Sequence, residues 1–479
     1  MAFVGDSLDA LAKLDADAAA LSCGKRAWTR SGLTGEINSL SATLRTRVPF
    51  GARVALCLRD PASLLIAFFA VARRGAIALV YDPDWPQMRR DAIDRQVAPD
   101  IVLDDLALSG LCAEGGAARL LAGVEDRVPE AADPFYAGFT SGSTGEPKAY
   151  LRSHGSWLES FLVSQREFPI GPADTVIIPG NLVHSLHLYG AVHGLVVGAG
   201  VVLAERFNPK NLARHIAGSG SAVLYATPTQ MRLMAAEILK CSPAENVRLV
   251  LASGAKWRED DRKAMSVPFP AARLVEFYGA SEMSFITVST PEDDAPDGSV
   301  GRAALGVSIC IRDEQGRTCA PGDTGVIWVS SAMLFSGYVC GGGSEVVREG
   351  AWLTVGDCGY LDEDGFLFLS GRQKRMIVTS GINIFPEEVE AALLEHPQVR
   401  AAAVLPLADP LRGKVMVAVM QTDVDADLSD RDLRRHCAVR LGRGRTPRRY
   451  IMVTTLPLTP GGKIDLQTLQ QRLDTGELS

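Results

Sequence analysis

The chain has 479 residues, too many for one ordinary domain, so two or three packed units are expected. Apolar residues make up 47% and charged residues 22%, the balance of a globular protein rather than a disordered or fibrous one. A net charge of −7 argues against a dedicated nucleic-acid binder and leaves nucleotides open.

The acidic start, "MAFVGDSLDALAKLDADAAAL", lacks the basic stretch and apolar run of a signal peptide. Nine scattered cysteines, none in a CxxC pair, read as reduced core residues of a cytoplasmic protein, not as a disulfide framework or zinc site. The seven histidines form no HExxH.

In chain order, "RVALCL" (53–58) reads as a strand, 62–75 as a helix, "AIALVY" (76–81) as a strand and 100–105 as another. Residues 182–204 carry no formal charge, and their length alone would permit a membrane span. Three histidines and a glycine-rich second half instead predict a buried helix running into a buried strand. "DTVIIPG", "AVLYATP", "VRLVLASG" and "RLVEFYG" continue the strands, with helical patterns at 228–240 and 257–266. This alternation predicts α/β layers around a parallel sheet. From about 299, glycine-punctuated short strands predict a β-rich subdomain. A smaller α+β pattern follows, with helices at 386–396 and 429–441 and strands near 399–406, 414–421 and 449–454. The expected division is a large N-terminal domain, 1–373, and a small C-terminal domain, 374–479, with nothing appended after it.

"TSGSTGEPK" (140–148) gathers hydroxyls and glycines ahead of Lys148. Glycine lets backbone N–H groups approach phosphate oxygens closely, and lysine adds a point charge. It is no Walker A loop, because Pro147 disfavours helix at Glu146, so the loop is expected to join two strands. Alone, it favours a phosphate loop only modestly over an ordinary Ser/Gly surface turn. Three distant stretches bear on the choice. "EFYGASE" (276–282) places a carboxylate after a Tyr-Gly turn. "VGDCGYLDEDGFLFLSGR" (355–372) holds Asp357 and Arg372, each after a glycine, and "TPGGKIDL" (459–466) carries Lys463 on a glycine tip.

In their order and spacing these motifs resemble the adenylate-forming (ANL) enzymes: AMP-forming acyl-CoA synthetases, peptide-synthetase adenylation domains and beetle luciferases. The resemblance runs from about residue 28 to 472. It implies ATP-dependent activation of a small carboxylic acid to an acyl-adenylate, pyrophosphate release, and transfer to the thiol of CoA. It implies that Thr140, Ser141, Gly142, Ser143, Thr144, Gly145 and Lys148 hold the β- and γ-phosphates, and that Glu282 binds Mg²⁺, with Ser281 beside it. Asp357 would hold the ribose, supported by Arg372. Gly254, Ala255 and Lys256 would sandwich adenine against Glu276, Phe277 and Tyr278. Lys463 would bridge the acid and the α-phosphate. Lys374 would be the hinge of a mobile C-terminal domain, and Gly381 would leave room for pantetheine.

The motifs depart from the family pattern in places. The common YGxTE carries Ser281, the common TGD carries Val355, and Ala149 and Ser380 stand where glycines are usual. "PGNLVHSLHLYG" (179–190) begins the acyl pocket by resemblance and holds no carboxylate for an α-ammonium, so an amino acid is not expected. His184 resembles the gate to the thiol tunnel. His184, Leu188, Ser253, Gly279 and Met283 as pocket positions point to a hydrophobic aryl or fatty acid. "RLGRGRTPRRY" (440–450) could meet CoA phosphates, meet an acidic carrier protein, or remain a solvated loop. The alternative function is a ligase that loads a carrier-protein phosphopantetheine. Luciferase-like oxidation and non-catalytic adenylate binding rank lower.

Overall fold

The structure, a computed structural model, describes all residues except 114–126, 142–146, 255–256, 258, 343–345, 380–381, 410–412, 423–427, 459–463 and 479. Its centre is a parallel run of strands in the order Ala19–Cys23, Gly200–Leu203, Asp174–Ile178, Ser221–Ala226, Val247–Ala252 and Arg273–Ala280. Both faces of these strands are covered, which is why they are apolar without alternation. Val223, Leu224 and Tyr225 are successive and fully buried. The uncharged stretch resolves into the helix Ser185–Val196 and the strand Gly200–Leu203, as its glycine content predicts. Among the described residues no helix is long and apolar enough to cross a membrane.

After Arg273–Ala280 the sheet changes direction. Ser284–Ser289, Ser299–Ala303, Phe366–Arg372 and Asp357–Leu361 follow antiparallel, so the β-rich strands extend the same sheet. A second sheet is parallel through Ile101–Asp104, Arg53–Cys57, Ile77–Val80 and Pro134–Ser141. It then turns antiparallel through Pro147–Ser153 and Gly337–Cys340. Local signals set the helices that cover these sheets. In Pro61–Arg74, Asp60 caps the Ser63 N–H, proline opens the first turn, and Gly75 ends it at φ 75°.

The last elements make a sheet of their own: Val399–Asp409 and Gly413–Thr422 antiparallel, with Arg449–Val453 parallel to the latter. Alternation divides its two faces. Ala402 and Val404 pack with Val389, Leu393, Leu433 and Cys437, while Ala403 and Leu405 pack with Leu469 and Leu473. The turn Gln373–Arg375 leads into it. There Arg375 pairs with Glu387 (3.0 Å) and Glu390 (2.6 Å), and Glu390 also accepts from Val404 N (2.8 Å).

Candidate active site

A cleft of about 370 Å³ opens where the large sheet changes from parallel to antiparallel. Crevices at the carboxyl ends of parallel strands are the usual ligand positions in α/β sheets. The hairpin Pro134–Ser141/Pro147–Ser153 forms its floor, with Thr140 opposite Lys148 and Tyr136 opposite Arg152. The two strands flank the Ser/Gly loop, as expected. Side chains two apart share a face, so Lys148, Tyr150 and Arg152 form one row, and all three line the cleft. Gly138 sits opposite Tyr150, where a Cβ would lie 2.2 Å from the hydroxyls of both Tyr136 and Tyr150. The glycine lets those hydroxyls meet at 2.8 Å.

The far wall is the turn between Arg273–Ala280 and Ser284–Ser289. Gly279 is required there, because a Cβ would stand 2.0 Å from Ser284 O. Ser284 itself is in the left-handed region at φ 59°, unusual for a side-chain-bearing residue, and its hydroxyl accepts from Arg152 (2.6 Å). Ser281 and Glu282 line the cleft from this turn. Tyr338 donates to Glu282 Oε1 (2.8 Å), and among the described residues no donor reaches Oε2.

Asp357 is 8% exposed and receives the Tyr278 hydroxyl at 2.5 Å on Oδ2. Arg372, which also lines the cleft, stands 3.0 Å from Oδ1 as an ion pair, and Oδ1 takes no hydrogen bond among the described residues. Burial, and then the Asp357 carboxylate, push the Tyr278 hydroxyl well above its ordinary range. The hydroxyl therefore remains a donor.

Thus Thr140, Lys148, Ser253, Gly254, Phe277, Gly279, Ser281, Glu282 and Arg372 come together, with Asp357 against Arg372. Others do not. Glu276, grouped with the adenine segments, turns its carboxylate the other way. It accepts from Trp257 N (3.1 Å) and pairs with Arg262 (2.5 Å), so it anchors the segment after Ala252. Strand alternation accounts for this, since neighbouring Phe277 faces the cleft. Leu188 and Met283 are 0% and 1% exposed core residues outside the lining. Leu186 and Tyr189 take that wall, because the helix Ser185–Val196 turns Leu188 toward the core. His184 is exposed at the cap of that helix, its ring 6.3 Å from His187. Lys374 is exposed in the turn Gln373–Arg375. Gly142, Ser143, Thr144, Gly145, Ala255, Lys256, Gly381 and Lys463 lie outside the described residues, and so does the side chain of Ser141.

Sequence reasoning missed Arg152, Tyr136, Tyr150 and Tyr338. The signal for two of them was the i, i+2, i+4 row that begins at Lys148.

Residues 8–339 match the profile of the AMP-binding enzymes, and residues 388–463 that of the AMP-binding enzyme C-terminal domain. The chain belongs to the AMP-binding enzyme family. It is 37% identical over 443 residues to an uncharacterized acyl–CoA ligase of Bacillus subtilis, YhfT, over 90% of either chain. The sulfoacetate–CoA ligase of Cupriavidus necator is 31% identical over 343 residues, 70% of this chain and 66% of that one. In fold, the O-succinylbenzoate coenzyme A synthetase of Bacillus subtilis, solved with AMP, matches 97% of both chains with a TM-score of 0.86 at 24% identity. Within the AMP-binding family the chain is an enzyme of the AMP-forming acid–thiol ligase class.

Proposed function

We propose that the protein joins a carboxylic acid to the thiol of CoA, with ATP as the activating reactant and Mg²⁺ as its counter-ion, in the cytoplasm. The observation that carries this reading is the convergence of Thr140, Lys148, Glu282 and Arg372 on one cleft, with the buried carboxylate of Asp357 against Arg372.

The chemistry requires such a set. A carboxylate oxygen attacks the α-phosphorus of ATP, and the bond to the bridging oxygen breaks, so pyrophosphate leaves and an acyl-adenylate remains. A thiolate then attacks the acyl carbon and AMP leaves. Two anions meet in the first step, so fixed positive charge must offset their repulsion. Lys148 supplies it at the β- and γ-phosphates, with the loop of Ser141 to Gly145. The free Oδ1 of Asp357 accepts a ribose hydroxyl, and Tyr278 and Arg372 hold the carboxylate in place. Phe277, Gly254 and the segment that Glu276 anchors would flank adenine. No cluster of three or more His, Cys, Asp or Glu gathers among the described residues. By resemblance a Mg²⁺ would take Glu282 and phosphate oxygens, a hard-oxygen set that suits it. Bound there, it would offset phosphate charge. By resemblance Lys463 supplies the bridging cation of the first step. Residues 374–479 would then rotate about Lys374, carry Lys463 away and admit pantetheine past Gly381, with His184 as the gate.

In the basic run, Arg440 pairs with Glu395 and Arg445 with Glu388 (3.1 Å), which leaves the carrier-protein alternative to the experiment. The test is acid-dependent pyrophosphate release across a panel of carboxylic acids, followed by CoA or a carrier protein. Release that no acid stimulates would refute the reading.

A further inference from the structure

The floor of the cleft holds a guanidinium that no carboxylate among the described residues meets in a hydrogen bond or ion pair. Arg152 is 3% exposed and lines the cleft. All its hydrogen bonds among the described residues go to neutral acceptors. Nε donates to Ser156 Oγ (3.1 Å) and Nη1 to Ser281 O (2.9 Å). Nη2 donates to Ser284 Oγ (2.6 Å), Met333 O (2.8 Å) and Ser156 O (3.5 Å). Nη1 carries two hydrogens, and only one finds an acceptor among the described residues.

Burial pulls Arg152 down to about 10, by more than the neighbouring tyrosines and the Glu282 carboxylate push it back. Buried charges are ordinarily paired. Arg375 of this same chain has two carboxylates.

Position gives this its meaning. Arg152 lies four residues beyond Lys148 on the same strand face, ~13 Å along the strand at the usual rise. Lys148 is the phosphate end, so Arg152 marks the opposite end of the row. Between them lies the hydroxyl pair of Tyr136 and Tyr150, and Trp157 and Tyr189 wall that end. An all-hydrocarbon acyl chain would leave the spare Nη1 hydrogen unmatched.

We infer that the acid substrate carries a second anionic group, a carboxylate or sulfonate, that binds Arg152 while the first carboxylate takes up AMP. This rests on the ligase reading above. The balance of the reaction is unchanged: the near carboxylate forms the new P–O bond, pyrophosphate departs, and the far anion neither gains nor loses a proton.

The test uses the full chain with ATP and Mg²⁺ and measures acid-dependent pyrophosphate release on matched pairs. These are succinate against butyrate, glutarate against valerate, and terephthalate against 4-methylbenzoate, with sulfonate analogues beside the diacids. In at least one pair the doubly anionic acid should lead in kcat/KM by about 100-fold, the upper cost of leaving one buried donor without its acceptor. Arg152→Lys keeps a cation but loses the planar fork, so that ratio should fall about tenfold with KM for ATP unchanged. Monoacids used equally well or better by the wild-type enzyme would overturn the inference, whether or not the lysine variant folds. A lysine variant that raises KM for ATP and leaves the ratio intact would move Arg152 to the phosphates and overturn it too. No release with any acid would overturn the ligase reading itself, a separate result from release with monoacids.

Discussion

Arg152 in the large domain and Arg375 at the start of the small one are both drawn out of solvent, and they are answered differently. Arg375 meets Glu387 and Glu390, and these carboxylates hold its guanidinium above the usual range although burial pulls the other way. Arg152 meets carbonyls and hydroxyls and is pulled down. A fully paired arginine has nothing left to offer a ligand and serves to fasten a turn to a helix. Arg152, given neutral acceptors and a spare Nη1 hydrogen at the cleft, is where the inferred anion would bind.

The same contrast runs through the other titrating groups. In the large domain, burial pushes His154 and His193 down to about 3 and His187 to about 4. In the small domain, burial raises Glu387 and Glu388. The signs are opposite. A histidine lowered in the fold contributes stability above its unfolded value of about 6.5, and that contribution is lost as pH falls toward the folded value. A glutamate raised in the fold contributes stability that is full below about 4.5 and is lost as pH rises through the folded value. Acidification should therefore loosen the large domain, while in the small one the gain at Glu387 and Glu388 is partly offset at His396, which burial also lowers. The large-domain effect is the greatest expected here, up to roughly 4 kcal/mol per pH unit below about pH 6 for three histidines. All six tryptophans lie at or before residue 352, so their fluorescence follows the large domain alone. Urea midpoints by tryptophan fluorescence should drop from pH 7 to pH 5, while hydrogen exchange in Val399–Asp409 slows or holds once corrected for the intrinsic rate. Parallel loss in both regions would break the contrast.

Next in size is Arg375→Ala. It strands Glu387 and Glu390 and should cost about 3 kcal/mol, confined to the small domain. Exchange in Val399–Asp409 should quicken with the tryptophan midpoint unmoved. Glu387 should rise further without its cation, so the small domain should lose stability more steeply with rising pH than in the wild type. A tryptophan midpoint that shifts as far would show that the fastening is not local.

Gly138→Ala probes the floor from the other side. Its Cβ would press on both tyrosine hydroxyls at 2.2 Å, which must part, at about 2 kcal/mol. Gly35→Ala, in the helix Arg30–Arg45, meets nothing within 4 Å and should instead stabilise by about 0.5–1 kcal/mol. The tryptophan midpoint reads both, and movement in the same direction would refute the role given to Gly138.

Most strands and helices were legible because buried parallel strands are apolar runs and their connections carry capping residues. "ASLLIAFFAVARRG" (62–75) became Pro61–Arg74 with Asp60 and Gly75 as its caps. The cleft was legible where backbone conformation demands glycine, as at Gly279, and where a carboxylate follows a turn, as at Glu282. It was less so where burial decides direction. Leu188 and Leu186 look alike in sequence, and only packing against the sheet sends Leu188 inward. Arg152 drew no notice in the sequence, because its depth depends on the Tyr136–Arg152 register of the hairpin.

The smallest expected effect is at Tyr278→Phe, and it separates two meanings of one hydrogen bond. The hydroxyl donates to Oδ2 of Asp357 at 2.5 Å while Oδ1 stays free of hydrogen bonds among the described residues. If the bond orients the carboxylate, phenylalanine should raise KM for ATP about tenfold, the worth of one neutral-to-charged hydrogen bond at its lower end, with kcat nearly unchanged. Arg372 would still hold Oδ1 from the side, which is why the loss should be small. If the hydroxyl instead competes with the ribose for the carboxylate, KM for ATP should fall. Steady-state pyrophosphate release over an ATP series decides between them. A lower KM would leave Arg372 as the sole positioning partner of Asp357 among the described residues.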